Sequence, residues 1–166
     1  MDPLLLELAT VLHHEIDRYR QLHTLLRKER GRIVKGEWAA LTEMVHAKET
    51  VAEELAQLAA SRGALLERVA ARLGEPVASL TLARAVQIAP ADAQPTLARL
   101  LAEFRGVVGR LVAANEVNRI LVDRSIEFIQ GSLSLFRTVT SQTATYGADA
   151  RLESKAPALA GVNQTV

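Results

Sequence analysis

The long C-terminal half of the chain carries an apolar seam at helical spacing. From position 97 to position 139 the intervals alternate between four and three residues, and the seam consists of Leu97, Leu101, Phe104, Val108, Leu111, Asn115, Asn118, Val122, Ser125, Ile129, Ser132, Phe136 and Val139. A shifted apolar seam runs beside it at Leu100, Val107, Ala114, Leu121, Phe128 and Leu135. Two adjacent seams make a wide apolar face, which is typical of a bundle helix rather than of a strict two-stranded coiled coil. We therefore predict one helix over 95–140.

The N-terminal segment has a start signal and a stripe of its own. Asp2 is suited to cap a helix, and Pro3 is tolerated at the first helical position. The stripe that follows consists of Leu5, Leu8, Leu12, Tyr19, Leu22 and Leu26. Glu15 interrupts this stripe. The pattern predicts a first helix over 3–30.

Two glycines follow this helix. Gly31 and Gly36 predict a helix end and a turn, because glycine is the residue that most readily ends a helix. A second helix is then predicted over 37–73. Its stripe consists of Trp38, Leu41, Val45, Ala52, Leu55 and Leu58 or Ala59.

Residues 74–94 are the main interruption of the helical pattern. They contain a predicted short helix over 79–87 with Ser79 as its cap. The fold class is therefore all-α, with three long helices in an antiparallel, coiled-coil-like bundle and a short helix in the connection. We assign 1–140 to the bundle and expect 141–166, which is rich in small and polar residues, to be mobile.

Composition excludes several classes of protein. The chain has no Cys, so disulfide scaffolds, Cys-ligated zinc and thiol nucleophiles are excluded. The apolar fraction of 49% and the net charge of +1 exclude a wholly disordered chain. The N-terminus lacks a basic signal-peptide region, and no stretch reaches the roughly 18 uncharged apolar residues of a spanning helix. We expect a cytoplasmic protein without membrane insertion.

Motifs that would carry chemistry are incomplete. Glu43 and His46 form an E-x-x-H, but a di-iron site in a bundle needs a second such motif, and His13, His14 and His23 do not supply one. The glycines are isolated, so no phosphate-binding loop is indicated. We expect no enzyme activity, no catalytic residue, no metal site and no cofactor.

A basic window lies near the end of the first predicted helix. Its cations are Arg18, Arg20, Arg27, Lys28, Arg30, Arg32 and Lys35. A helix C-terminus favours cations through its dipole, which favours a solvated helix end. Binding of phosphate or of an acidic partner is the alternative. With balanced overall charge and Tyr19 as the only aromatic nearby, we do not expect a nucleic-acid partner.

Asn115 and Asn118 are polar residues within the long seam. Buried asparagines can fix helix register at a cost in stability. The alternative is that this face is not permanently buried and receives a partner helix. The sequence pattern leaves both interpretations open.

Several motifs in order resemble one family. They are Gly36-Glu37-Trp38 at the turn, Lys48-Glu49 in the second helix, Asn115-Glu-Val-Asn118-Arg-Ile-Leu121 in the last helix and Thr145-Tyr146-Gly147 after it. In this set the chain resembles the FlgN-type flagellar export chaperones. The resemblance implies a cytoplasmic protein that binds the C-terminal helices of hook–filament junction proteins of the FlgK and FlgL type. It also implies delivery of these clients to the flagellar export apparatus.

The resemblance, combined with helix-in-groove recognition, implies a client surface on the last helix. The predicted partner-binding residues are Asn118, Leu121, Ser125, Phe128, Ile129, Ser132, Leu133, Phe136 and Tyr146. Core packing against the first two helices is the alternative for the apolar members. A structural or signalling helical module without clients is the competing function, and the sequence leaves a homo-oligomer open.

Overall fold

The described part of the molecule consists of helices and their connections. A computed structural model describes residues 2–76 and 80–143, with side chains described as far as 138. The helices are α1 (Pro3–Lys35), α2 (Ala39–Leu73), α3 (Leu82–Ile88) and α4 (Gln94–Thr143). The prediction of an all-α fold with three long helices and one short helix is confirmed. The chain divides into two compact units, Met1–Asp123 and Arg124–Val166.

Helix α1 is longer than the sequence pattern indicates. The carboxylate of Asp2 accepts a 2.9 Å hydrogen bond from the backbone N–H of Leu4, and Pro3 follows it, as predicted. The helix then continues through Gly31 to Lys35, so the predicted end near residue 30 is wrong. Gly36 ends it instead, with a φ of 70° that an L side chain rarely adopts.

Helix α2 begins at Ala39, two residues after its predicted start. Its buried side chains are Val51, Leu55, Leu65, Val69 and Ala70. Trp38 and Val45, both in the predicted stripe, are exposed. Ala52, further along the stripe, is exposed as well, so the predicted stripe is wrong at these three positions.

The connection and the last helix also differ from the prediction at their ends. Helix α3 is capped by Thr81, whose hydroxyl oxygen accepts a 3.1 Å hydrogen bond from the backbone N–H of Arg84. The predicted cap Ser79 lies outside the described residues. Helix α4 begins one residue before the predicted position and extends to Thr143. The predicted mobile tail lies outside the described residues from position 144 onward.

Ion pairs define the relative direction of α1 and α2. Glu7 pairs with Arg68 at 3.3 Å, and Glu29 pairs with Lys48 at 2.5 Å. As the residue number rises along α1, it falls along α2, so the two helices run in opposite directions. The coiled-coil-like bundle as a whole stays a prediction.

The core of the first unit joins all four helices. Its most deeply buried large apolar side chains are Leu8, Leu12, Ile16, Val69, Leu97, Leu100 and Val107. Ala85 of α3, with no exposed surface, belongs to the same apolar cluster. Because α1, α2 and α4 all bury side chains here, this cluster holds the first half of α4 in place.

Candidate functional site

The second unit exposes large apolar side chains on α4. Phe128 is 76% exposed, Phe136 is 70% exposed and Leu135 is 68% exposed. Ile129 and Leu133 are also exposed. Several large apolar groups close together on one helix in water are unusual for a monomeric protein and typically mark an interaction surface.

The predicted partner-binding residues in this unit lie on one side of α4. At about 100° per residue, Ser125, Phe128, Ile129, Ser132, Leu133 and Phe136 fall within an arc of about 140°. We call this set the α4 apolar face. Ser125 and Ser132 are half-buried within it. The Ser132 hydroxyl donates a 2.9 Å hydrogen bond to the carbonyl of Phe128, so it is satisfied within the helix.

The other predicted partner-binding residues lie elsewhere. Asn118 and Leu121 belong to the first unit, and Tyr146 lies outside the described residues. Leu121 is half-buried. Asn118 is only 4% exposed, whereas Asn115 is exposed. The two asparagines of the seam therefore differ in their surroundings.

Asn118 makes its contacts inside the first unit. Its side-chain amide donates a 2.8 Å hydrogen bond to the carbonyl of Leu26 and a 2.9 Å hydrogen bond to the carboxylate of Glu29. Glu29 also accepts a 2.5 Å hydrogen bond from the Lys48 ammonium. One carboxylate on α1 is thus bound by side chains from both α2 and α4. This arrangement matches the register-fixing interpretation of a buried asparagine.

A second set of buried polar contacts surrounds Glu15. In the sequence this residue is visible only as an interruption of the apolar stripe. The Glu15 side chain is fully buried and lies 2.9 Å from the guanidinium of Arg62. Arg62 stacks over the ring of Phe104 at 5.4 Å, and Tyr19 meets the same ring edge-on at 5.5 Å. Burial raises the pKa of Glu15, and the charge of Arg62 opposes that rise. No local sequence signal predicts Arg62 as the partner.

The basic window divides into paired and unpaired cations. Arg18 pairs with Glu54 at 2.7 Å, and Arg32 pairs with Glu37 at 2.5 Å. In the part of the chain that the structure describes, four of the cations have no carboxylate partner, namely Arg27, Lys28, Arg30 and Lys35. Carboxylates therefore neutralise only some of the cations of the basic window.

The E-x-x-H motif that ends at His46 is not part of a larger group of metal-ligating side chains among the described residues. His46 lies 3.2 Å from Glu49 in an exposed contact. Within residues 2–76 and 80–143, no group of three or more potential metal-ligating side chains occurs. None of the helices described in these ranges is both long enough and apolar enough to cross a membrane.

The described residues thus form an all-helical protein that exposes an apolar face on α4. The family model for the FlgN protein matches residues 1–154. The chain therefore belongs to the FlgN family and is a FlgN-type flagellar chaperone. No curated protein and no solved structure gives a match.

Proposed function

We propose that this chaperone acts in the cytoplasm in flagellar type III export. Its clients are the C-terminal helices of hook–filament junction proteins of the FlgK and FlgL type, which it keeps competent for export and delivers to the export apparatus. Membership of the FlgN family supports binding of flagellar substrate proteins in general. Binding of hook–filament junction proteins in particular goes beyond the family role and is what we propose here.

The exposure of the α4 apolar face is the observation that carries the proposal. Phe128 and Phe136 lie two turns apart on one side of the helix. Full burial of one such side chain is worth about 1.5–3 kcal/mol. An amphipathic client helix that covers both rings would gain this energy, and its own apolar face would be withdrawn from premature assembly.

Within this proposal the residues have different roles. The α4 apolar face contacts the client directly, while Asn118 holds the first part of α4 against α1. Tyr146 is proposed as a further client contact, and Leu121 as a packing residue.

Substitution of the two rings tests the client surface. We expect the double variant Phe128→Ala, Phe136→Ala to bind the C-terminal helical peptide of a hook–filament junction protein at least about tenfold more weakly, as loss of interface aromatics does. Gln130→Ala, an exposed change on the same helix, is the matched control and should leave affinity unchanged. Titration calorimetry measures both. Unchanged affinity of the double variant would contradict the proposed surface.

The same exposed face also suits a structural helical module, in which a second copy covers it. Light scattering distinguishes the two functions. A monomer that binds the client peptide supports the chaperone. A stable symmetric dimer that ignores the peptide, and that dissociates in the double variant, supports the module.

A further inference from the structure

A cleft of about 370 Å³ lies between α1 and α4 in the first unit. Arg27 and Arg30 of α1 and Arg110 of α4 line it. All three side chains are exposed. Arginines from two helices therefore line one opening, which we call the cationic groove.

The charges of the cationic groove are not neutralised within the described residues. None of its three arginines has a carboxylate partner there. Two other exposed arginines of the same helices are paired, since Arg18 contacts Glu54 and Arg119 contacts Glu116. An anionic group that enters the groove would therefore be attracted by these unpaired positive charges.

The floor of the cationic groove is apolar. Leu26 is buried, and Ala114 and Val117 line the groove from α4. On α1, His23, Arg27 and Arg30 follow one another at intervals of four and three and so share one side of the helix. The groove thus combines an apolar strip with two α1 arginines that lie about 5 Å apart along the helix axis.

We propose that the cationic groove binds an acidic amphipathic helix of another protein. Its apolar residues would lie on Leu26 and Val117, and carboxylates along one edge would pair with Arg27 and Arg30. The apolar floor favours a helix over a nucleic acid, which has no apolar strip to bury there. No Phe, Tyr or Trp side chain lines the groove, so the large aromatic rings on which bases stack most strongly are not supplied. This site shares no residue with the α4 apolar face and does not depend on the client proposal.

Synthetic peptides test the cationic groove on the full-length protein. The probe is a labelled helical peptide of about 14 residues, or four turns, with Leu on one face and Glu along one edge. A second peptide carries Gln in place of each Glu, and a single-stranded oligonucleotide of similar length is the third probe. Fluorescence anisotropy measures the affinity of each.

The groove variant is the triple substitution Arg27→Gln, Arg30→Gln, Arg110→Gln. Its matched control is Arg99→Gln, Arg105→Gln, Lys35→Gln, which removes the same charge from exposed cations outside the groove. We expect the Glu peptide to lose roughly tenfold in affinity with the groove variant and little with the control, because exposed charge pairs each contribute modestly. Circular dichroism checks that both variants keep their helicity.

Three results would overturn the proposal. The first is absence of binding by the Glu peptide, and the second is equal binding by the Gln peptide. The third is equal loss of affinity in the groove variant and the control, which would indicate only a response to net charge. Binding of the oligonucleotide alone, lost in the groove variant, would replace the acidic helix with a nucleic-acid ligand.

Discussion

The side-chain amide of Asn118 on α4 donates a 2.9 Å hydrogen bond to the carboxylate of Glu29 on α1. Because Lys48 of α2 binds the same carboxylate, these three residues link three helices. The amide is almost fully buried, so its hydrogen bonds are not exchanged with water. This contact fixes the position of α4 along α1.

Removal of this amide should therefore destabilise the first unit. We expect Asn118→Leu to lower the free energy of unfolding by about 1–3 kcal/mol, because Leu26 and Glu29 each lose a buried donor. Asn115→Leu, at an exposed position of the same helix, should change it by no more than about 0.5 kcal/mol. Urea denaturation followed by circular dichroism measures both. Equal effects at the two positions would contradict the role of the Asn118 contacts.

Glu15 should make stability depend on pH in a particular direction. Burial raises its pKa above the ordinary value of 4.5, so the folded protein holds this proton more tightly than the unfolded chain does. The contribution of Glu15 is therefore most favourable below pH 4.5 and is lost as the pH rises through the raised pKa. The stability of the wild type minus that of Glu15→Gln should fall over this window and then level off. A difference that rises with pH would show that Arg62 outweighs burial.

Arg62 compensates the buried charge of Glu15. We expect Arg62→Met to destabilise the protein by about 3 kcal/mol at neutral pH, since it leaves a buried carboxylate unpaired. The loss should be smaller in acid, where Glu15 takes up a proton. In the double variant with Glu15→Gln, much of the stability should return. Thermal unfolding of the wild type, the two single variants and the double variant gives the coupling energy. Additive losses of stability would contradict an interaction between the two side chains.

Gly31 and Gly36 should respond oppositely to alanine. Gly31 is helical, and a Cβ there would meet nothing within 4 Å, so Gly31→Ala should stabilise by about 0.5–1 kcal/mol. Gly36 has a φ of 70°, so Gly36→Ala should destabilise by about 1 kcal/mol. Melting temperatures of the two variants test this, and a shift of the same sign in both would contradict it.

These two glycines also show what periodicity can predict. The long stripes predict the number and type of helices, because burial of one helical face depends on local spacing. The position of the helix end depends on which glycine adopts a positive φ, and by residue type either glycine could do so. Ile33, which is buried, continues the α1 face beyond Gly31 and decides between them.

The buried polar contacts of Glu15 and Asn118 show which part of the candidate site the sequence does not predict. Glu15 is visible in the sequence as a break in a stripe, but its partner Arg62 lies on another helix. Asn118 is likewise visible as a polar seam residue, and only its contact with Glu29 distinguishes it from exposed Asn115. Such pairings depend on tertiary packing, which a spacing pattern does not contain.

The short turn between α1 and α2 has a consequence for the order in which the chain folds. Glu29 and Lys48, near the turn, are 19 residues apart, whereas Glu7 and Arg68 are 61 residues apart. Because shorter loops cost less entropy to close, we expect pairing to start at the turn and spread away from it. During synthesis this pair of helices can close before α4 leaves the ribosome. The first part of α4 would then be made after this pair and pack onto a scaffold that already exists, which pulse-labelled hydrogen exchange on stalled chains can verify.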